Sequence, residues 1–217
     1  MAKKAPRRTA ERILETALDL FNRFGEPHVS TTLISAEMRI SPGNLYYHYP
    51  SKEALINALA VRYGEALGRH LSRAPEVEGM EQASAFVHAL CGLVWDYRFL
   101  YRNLADLLAG SRRLEAQVQA ALAHKDAAMR TVLGNLARTG AVRMQERDIP
   151  PTAAAMVMVL TYWLSFEFVL DPRSALEAHA APQAVQHGTQ QVLHLLAPYL
   201  APAARAGLPR EFERAAA

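Results

Sequence analysis

The chain has 217 residues, 51% of them hydrophobic, so an apolar core is within reach. Its one cysteine, Cys91, excludes a disulfide framework and a cysteine-based zinc site and suits a reducing compartment. The formal charge of +3 is unevenly placed, because residues 1–63 hold 9 Lys and Arg against 6 Asp and Glu while the remainder holds 15 of each.

Lys3, Lys4, Arg7 and Arg8 lead that excess. A basic arm over residues 1–8 suits either a polyanionic partner or a solubilising tail. No apolar run follows it, so a secretory signal is not expected. Ala, Leu, Arg and Glu dominate and alternating Val/Ile/Thr runs are almost absent, which predicts an all-helical chain. The first helix is expected to start near Thr9 as N-cap, with Leu14, Ala17, Leu18 and Phe21 on its apolar stripe and Gly25 ending it in a left-handed C-cap. Ser30 or Thr31 then caps a short helix to about Met38, anchored by Ile34, with Ser35 small enough for close helix approach. Ser41 with Pro42 opens a third helix, and Pro50 disfavours helix at Tyr49 and stops it there. Ser51 caps a fourth helix over residues 52–71, with Leu55, Ile56, Leu59, Ala60 and Tyr63 inward. Two short helices about three residues apart form the pattern of a helix-turn-helix, the second placed for a major groove.

The run "NLYYHY" of Asn44–Tyr49 cannot turn every ring to one core, because a helical period spreads them around the axis. Leu45 takes the core position and Tyr49 packs at the helix end, leaving Tyr46, Tyr47 and His48 outward. Hydroxyls and imidazole N–H groups are good donors to phosphate oxygens. Pro42, Gly43 and Asn44 sit at the helix start, where Asn can pair with adenine and Gly allows close backbone approach. Lys52, in the first turn of a helix, is badly placed for the helix dipole, and a nearby phosphate would explain it.

With these residues in place, 9–55 closely resembles the DNA-binding domain of the tetracycline-repressor (TetR) family of bacterial regulators. The likeness is carried by "ILETALDLFNRFG", "STTLISAEMRIS" and "PGNLYYHYPSKEAL". The resemblance implies that Thr31, Tyr46, Tyr47, His48 and Lys52 meet the phosphate backbone and that Ser41, Gly43 and Asn44 lie at or near the bases. Arg39 departs from it, standing where the family often has a left-handed glycine, and Met38 fills a usually smaller position. It also implies that residues from about 73 onward bind an effector and dimerise.

Residues 72–79 read as a linker, followed by helices near 80–97, 100–109, 112–138, 151–170 and 183–200 and a frayed tail at 201–217. The 151–170 segment is apolar nearly all round, which suits a helix facing both its own core and a symmetry mate. Glu167 interrupts it and Pro150-Pro151 precede it, so a membrane span is the lesser reading. With 183–200 it makes a candidate four-helix dimer interface. His88, Trp95, Tyr101, Trp163 and Glu167 are candidate effector contacts, though such aromatic residues are more often plain core. Glu167 could pair with an arginine, line the pocket or face solvent. His88 and Cys91 share a helix face, but two ligands are too few for a metal site.

No phosphate loop, nucleophile elbow or His-Glu-x-x-His spacing is present, so an enzyme is not expected. The expectation is an all-α protein of about nine helices: a three-helix DNA-binding domain over 1–55, a connecting helix at 51–71 and an effector-binding and dimerisation bundle over 73–200. Its function would be a cytoplasmic, homodimeric, ligand-responsive repressor on a palindromic double-stranded DNA operator, released by a small apolar or amphipathic effector. No cofactor, metal or membrane partner is expected. The alternative is a helical small-molecule-binding protein or enzyme that never touches DNA.

Overall fold

A computed structural model describes residues 6–173 and 177–200. The tail at 201–217 and most of the basic arm lie outside the described residues. Among the described residues there are ten α-helices, some short 3₁₀ turns and one isolated β-bridge between Val142 and Leu200. The helices are α1 (Pro6–Phe24), α2 (Thr31–Glu37), α3 (Pro42–His48), α4 (Lys52–Leu71), α5 (Met80–Asp96), α6 (Arg98–Arg102), α7 (Leu104–Gly110), α8 (Arg112–Arg138), α9 (Ile149–Leu170) and α10 (Ala181–His194).

Most starts and stops follow local chemistry. Ser30, Ser41, Ser51 and Ser111 each cap a helix by accepting from a backbone N–H three residues on. Gly25 ends α1 with φ 81, a backbone setting that favours glycine. Some boundaries differ from expectation. α1 starts at Pro6 rather than beyond Thr9, since proline suits a first helical turn and leaves Thr9 inside it. The expected helix at 100–109 is two, because Asn103 leaves the helical region at φ −124, ψ 36. The last expected helix ends at His194, where a 3₁₀ turn at Ala197–Tyr199 accommodates Pro198. The 72–79 segment is packed rather than free: Ala74 and Val77 are buried, and Asn135 on α8 donates to the Pro75 carbonyl (3.2 Å).

Ile13, Ala17, Phe21, Ile34, Leu45, Leu55 and Leu59 close the core of the first three helices and the start of α4. α4 then continues across α8 and α5, so one rigid helix belongs to both cores. α8, α9 and α10 with α5 complete the bundle. At the α9–α10 crossing a Cβ on Gly188 would meet the Trp163 ring at 2.8 Å, so glycine is required for the indole to lie on the α10 backbone.

The front helices are tied to the bundle by Asn22. Its Nδ2 donates to the carbonyl of Asp96 at the end of α5 (2.8 Å), and its Oδ1 accepts from the N–H of Phe99 in α6 (3.1 Å). Both are groups that a helix end leaves unpaired. Phe21 stacks on Phe99 beside this bridge, with ring centroids 5.3 Å apart. Asn22→Leu should therefore lower stability in urea unfolding by about 1–3 kcal/mol, since two backbone groups lose their buried partner; a change below about 0.5 kcal/mol would show that solvent reaches them.

Candidate nucleic-acid interface and effector cavity

α2 and α3 meet through a turn that fits an exposed reading helix. Met38, Arg39 and Ile40 N–H groups close it onto the carbonyls of Ile34, Ala36 and Ser35. Arg39 holds φ 54, the left-handed setting that costs an L-residue about 1 kcal/mol. Leu45 is fully buried under α3 and the Tyr49 hydroxyl donates to the Ala10 carbonyl (3.4 Å), which fixes the helix from both ends. Pro42, Gly43 and Asn44 are exposed at its start.

The aromatic run separates as its period demands. Tyr47 is 80% exposed and meets His48 edge-on at 5.1 Å. Tyr46 is 47% exposed, and its hydroxyl shares a hydrogen bond with Thr31 Oγ1 (2.9 Å), which joins the first residue of α2 to α3. Thr31, Tyr46 and Lys52 border one shallow depression together with His28 and Ser30. His28 was not among the expected contacts, because nothing in its local sequence separates it from an ordinary turn residue. Lys52 has a partner inside the chain: Nζ lies 2.7 Å from Glu26 Oε1 and donates to the Glu26 carbonyl. That pairing, rather than a phosphate alone, accounts for a lysine in the first turn of α4.

The five candidate effector contacts fall in separate places. Tyr101 lines a cavity of about 240 Å³ between α4, α6, α7, α8 and α9. His88 and Trp95 border a more open groove between α5 and α10, where Thr189 Oγ1 and His88 Nδ1 lie 3.3 Å apart. Trp163 is core packing against Gly188. Glu167 pairs with His187 on α10, with Oε1 and Nδ1 2.6 Å apart, and not with an arginine. Cys91 is fully buried, and burial pushes its thiol up to about 12, so it is an unreactive neutral group.

The Tyr101 cavity also holds Lys125, which was not among the expected contacts. Lys125 on α8 is only 1% exposed, and its Nζ donates to the Tyr101 hydroxyl (2.8 Å), which itself hydrogen-bonds the Tyr63 hydroxyl. The ammonium also lies over the Tyr101 ring at 4.9 Å and the Tyr63 ring at 6.0 Å. Among the described residues no carboxylate pairs with it. Burial pulls the Lys125 pKa down to about 8, and burial drives both tyrosines upward. A signal was present in the sequence: Lys125 occupies the apolar stripe of Leu114, Val118, Ala121, Leu122, Met129 and Val132.

Comparison with known proteins bears on both regions. The family model described as "Bacterial regulatory proteins, tetR family" matches residues 13–59, and the one described as "Bacterial transcriptional repressor" matches residues 62–208. The chain belongs to the TetR family of bacterial transcriptional regulators. A TetR-family regulator from Marinobacter aquaeolei VT8 is 30% identical, superposes with a TM-score of 0.82 and is matched over 95% of this chain and 98% of that one. The HTH-type regulator UidR of Escherichia coli K12 is 33% identical over 118 residues, which are 54% of this chain and 58% of UidR. The chain thus spans little more than half the length of that relative. Salmonella enterica GusR shares the TetR-family fold at 20% identity, with a TM-score of 0.60 over 89% of this chain and 98% of its own.

Lys125 sets a measurable dependence on pH. Its folded pKa lies below the unfolded one, so the unfolded chain holds more protons above pH 8 and stability should rise from about pH 8 toward 10. Lys125→Met should flatten that rise and add about 1–3 kcal/mol at pH 7 in urea unfolding. A variant no more stable than wild type would mean that the tyrosine hydroxyl and rings compensate the buried charge.

Proposed function

We propose that this TetR-family regulator is a homodimeric repressor that binds a palindromic operator and leaves it when a small amphipathic molecule enters the cavity of Tyr63, Tyr101 and Lys125. The division of labour follows the expected domains: residues 1–55 bind DNA, 51–71 connect, and 73–200 bind the effector and dimerise. The observation that carries the reading is the exposed α3, which keeps only Leu45 and part of Tyr49 for the core. Ser41, Pro42, Gly43 and Asn44 lie at or near the base edges at the helix start, while Thr31, Tyr46, Tyr47, His48 and the exposed Arg39 serve the backbone. Lys52 holds the turn through Glu26 beside Thr31 and Tyr46. The protein works in the cytoplasm by binding and not by catalysis.

Dimerisation is proposed through α9 and α10. Among the described residues 146–170 are long and apolar enough to cross a membrane by length and composition, yet Met156, Leu160, Trp163 and Leu164 are in the core. On the other face Met158, Tyr162, Phe166, Val169 and Leu170 are all at least 57% exposed. A stripe at this spacing, beside the outer face of α10, suits a second copy of the same helix pair.

The effector's influence on DNA has a physical route. Tyr63 belongs to α4, which starts at the DNA-binding helices, and Tyr101 is two residues from the Phe99 amide held by Asn22. A ligand that spreads α4 from α8 would change the separation of the two recognition helices, which must match half-sites about 34 Å apart. Near-complete release requires a preference of about 5 kcal/mol for the wrong spacing.

Fluorescence anisotropy against DNA from upstream of the protein's own gene, with a scrambled control, tests the reading. Selective binding should weaken steeply with salt, and Tyr47→Ala should cost about 1–3 kcal/mol of operator affinity without altering effector binding. Absence of binding at low salt would sink the proposal. In sedimentation, Phe166→Glu should shift the dimer to monomer by placing a charge in the apolar stripe; an unchanged dimer would place the interface elsewhere.

A further inference from the structure

We propose that the effector is an anion, a small amphipathic carboxylate whose head group pairs with Lys125 while its apolar body lies against Leu67, Leu100, Leu104 and Val118. The inference rests on the reading that this cavity receives the effector, and it names the class of ligand.

The geometry that carries it is a buried cation on the cavity wall with no carboxylate partner among the described residues. Lys125 is 1% exposed, so water does little for its charge. Burying an ammonium costs far more than one hydrogen bond to a neutral hydroxyl returns. Ordinary folds meet this cost with a buried carboxylate, but among the described residues lining the cavity there is no Asp or Glu. The nearest groups are the Tyr63 and Tyr101 hydroxyls and rings and the neutral thiol of Cys91. These hold the ammonium in place without neutralising it. An ammonium has three N–H donors, and among the described residues Tyr101 takes one of them.

Each class of ligand meets this wall differently. A cation is repelled by Lys125. A neutral ligand leaves the charge unpaired. A carboxylate supplies the missing charge, accepts the free N–H groups and can also accept from the Tyr63 hydroxyl. The rest of the wall is mostly aliphatic, with Gln117, His124 and Thr161 as its further polar points. Pairing would also draw Lys125 from Tyr101, and Tyr101 shares α6 with the Phe99 that Asn22 holds. The charge of the ligand is thereby coupled to the helices that read DNA.

Calorimetric titration of the full chain at pH 7 with octanoate, octanamide and octylamine, repeated on Lys125→Met, tests this. Octanoate should bind wild type about tenfold or more tightly than octanamide, with octylamine weakest. Lys125→Met should bring octanoate to within about twofold of octanamide while octanamide affinity stays, which shows the cavity intact. Equal affinity of wild type for octanoate and octanamide, tighter binding of octylamine, or a carboxylate preference that survives Lys125→Met would overturn the anionic ligand and leave the cavity as the effector site. Binding of none of the three would overturn both.

Discussion

One carboxamide joins the two working parts of this molecule. Asn22 sits near the end of α1 and satisfies a carbonyl at the close of α5 and an amide at the opening of α6. Neither group has an intrahelical partner, because α5 stops and α6 starts within Tyr97 and Arg98. With Phe21 against Phe99, this contact sets how the first three helices stand on the bundle. Because α6 is a single short turn, it has little internal rigidity of its own and takes its position from what binds it at either side. On one side is Asn22; on the other are Lys125 and Tyr63, through Tyr101.

This arrangement explains why a buried lysine is tolerated. Burial makes Lys125 costly, and its neighbours compensate only in part. On the proposed reading, this cost in the unliganded protein is recovered when a ligand pairs with the ammonium. The cavity is bounded by α4, which also carries the Ser51 cap and the Leu55 and Leu59 side chains of the DNA-binding core. On the proposed function, displacement of α4 at the cavity would therefore carry to α3, since one helix is too stiff to absorb it locally.

Two surfaces of the chain are poorly suited to water alone. α3 presents Tyr46 and Tyr47 outward with little packing behind them, and α9 presents a row of large apolar groups. The first is polar at its tips and lies beside Thr31 and Lys52. The second is aliphatic and aromatic throughout, flanked by Gln and His on α10. Their chemistry points to different partners, a polyanion for one and an apolar surface for the other.

Local chemistry was legible in the amino-acid order. Ser30, Ser41 and Ser51 cap where their side chains predict, Gly25 and Pro50 stop helices where their backbones demand, and Leu45 turns inward while Tyr47 turns out. These follow from i to i+3 or i+4 relations, which a sequence displays directly. What only the tertiary structure decided was which distant residues share a space. Tyr101, His88, Trp163 and Glu167 looked alike as polar or aromatic groups on apolar helices, yet the fold sends them to a cavity, a groove, a packed crossing and an ion pair. Lys52 found Glu26, and Lys125, an ordinary residue by local rules, became a buried cation because α4, α6 and α9 close over α8. Periodicity tells which face of a helix is inward; it carries no record of what the neighbouring helices place opposite that face.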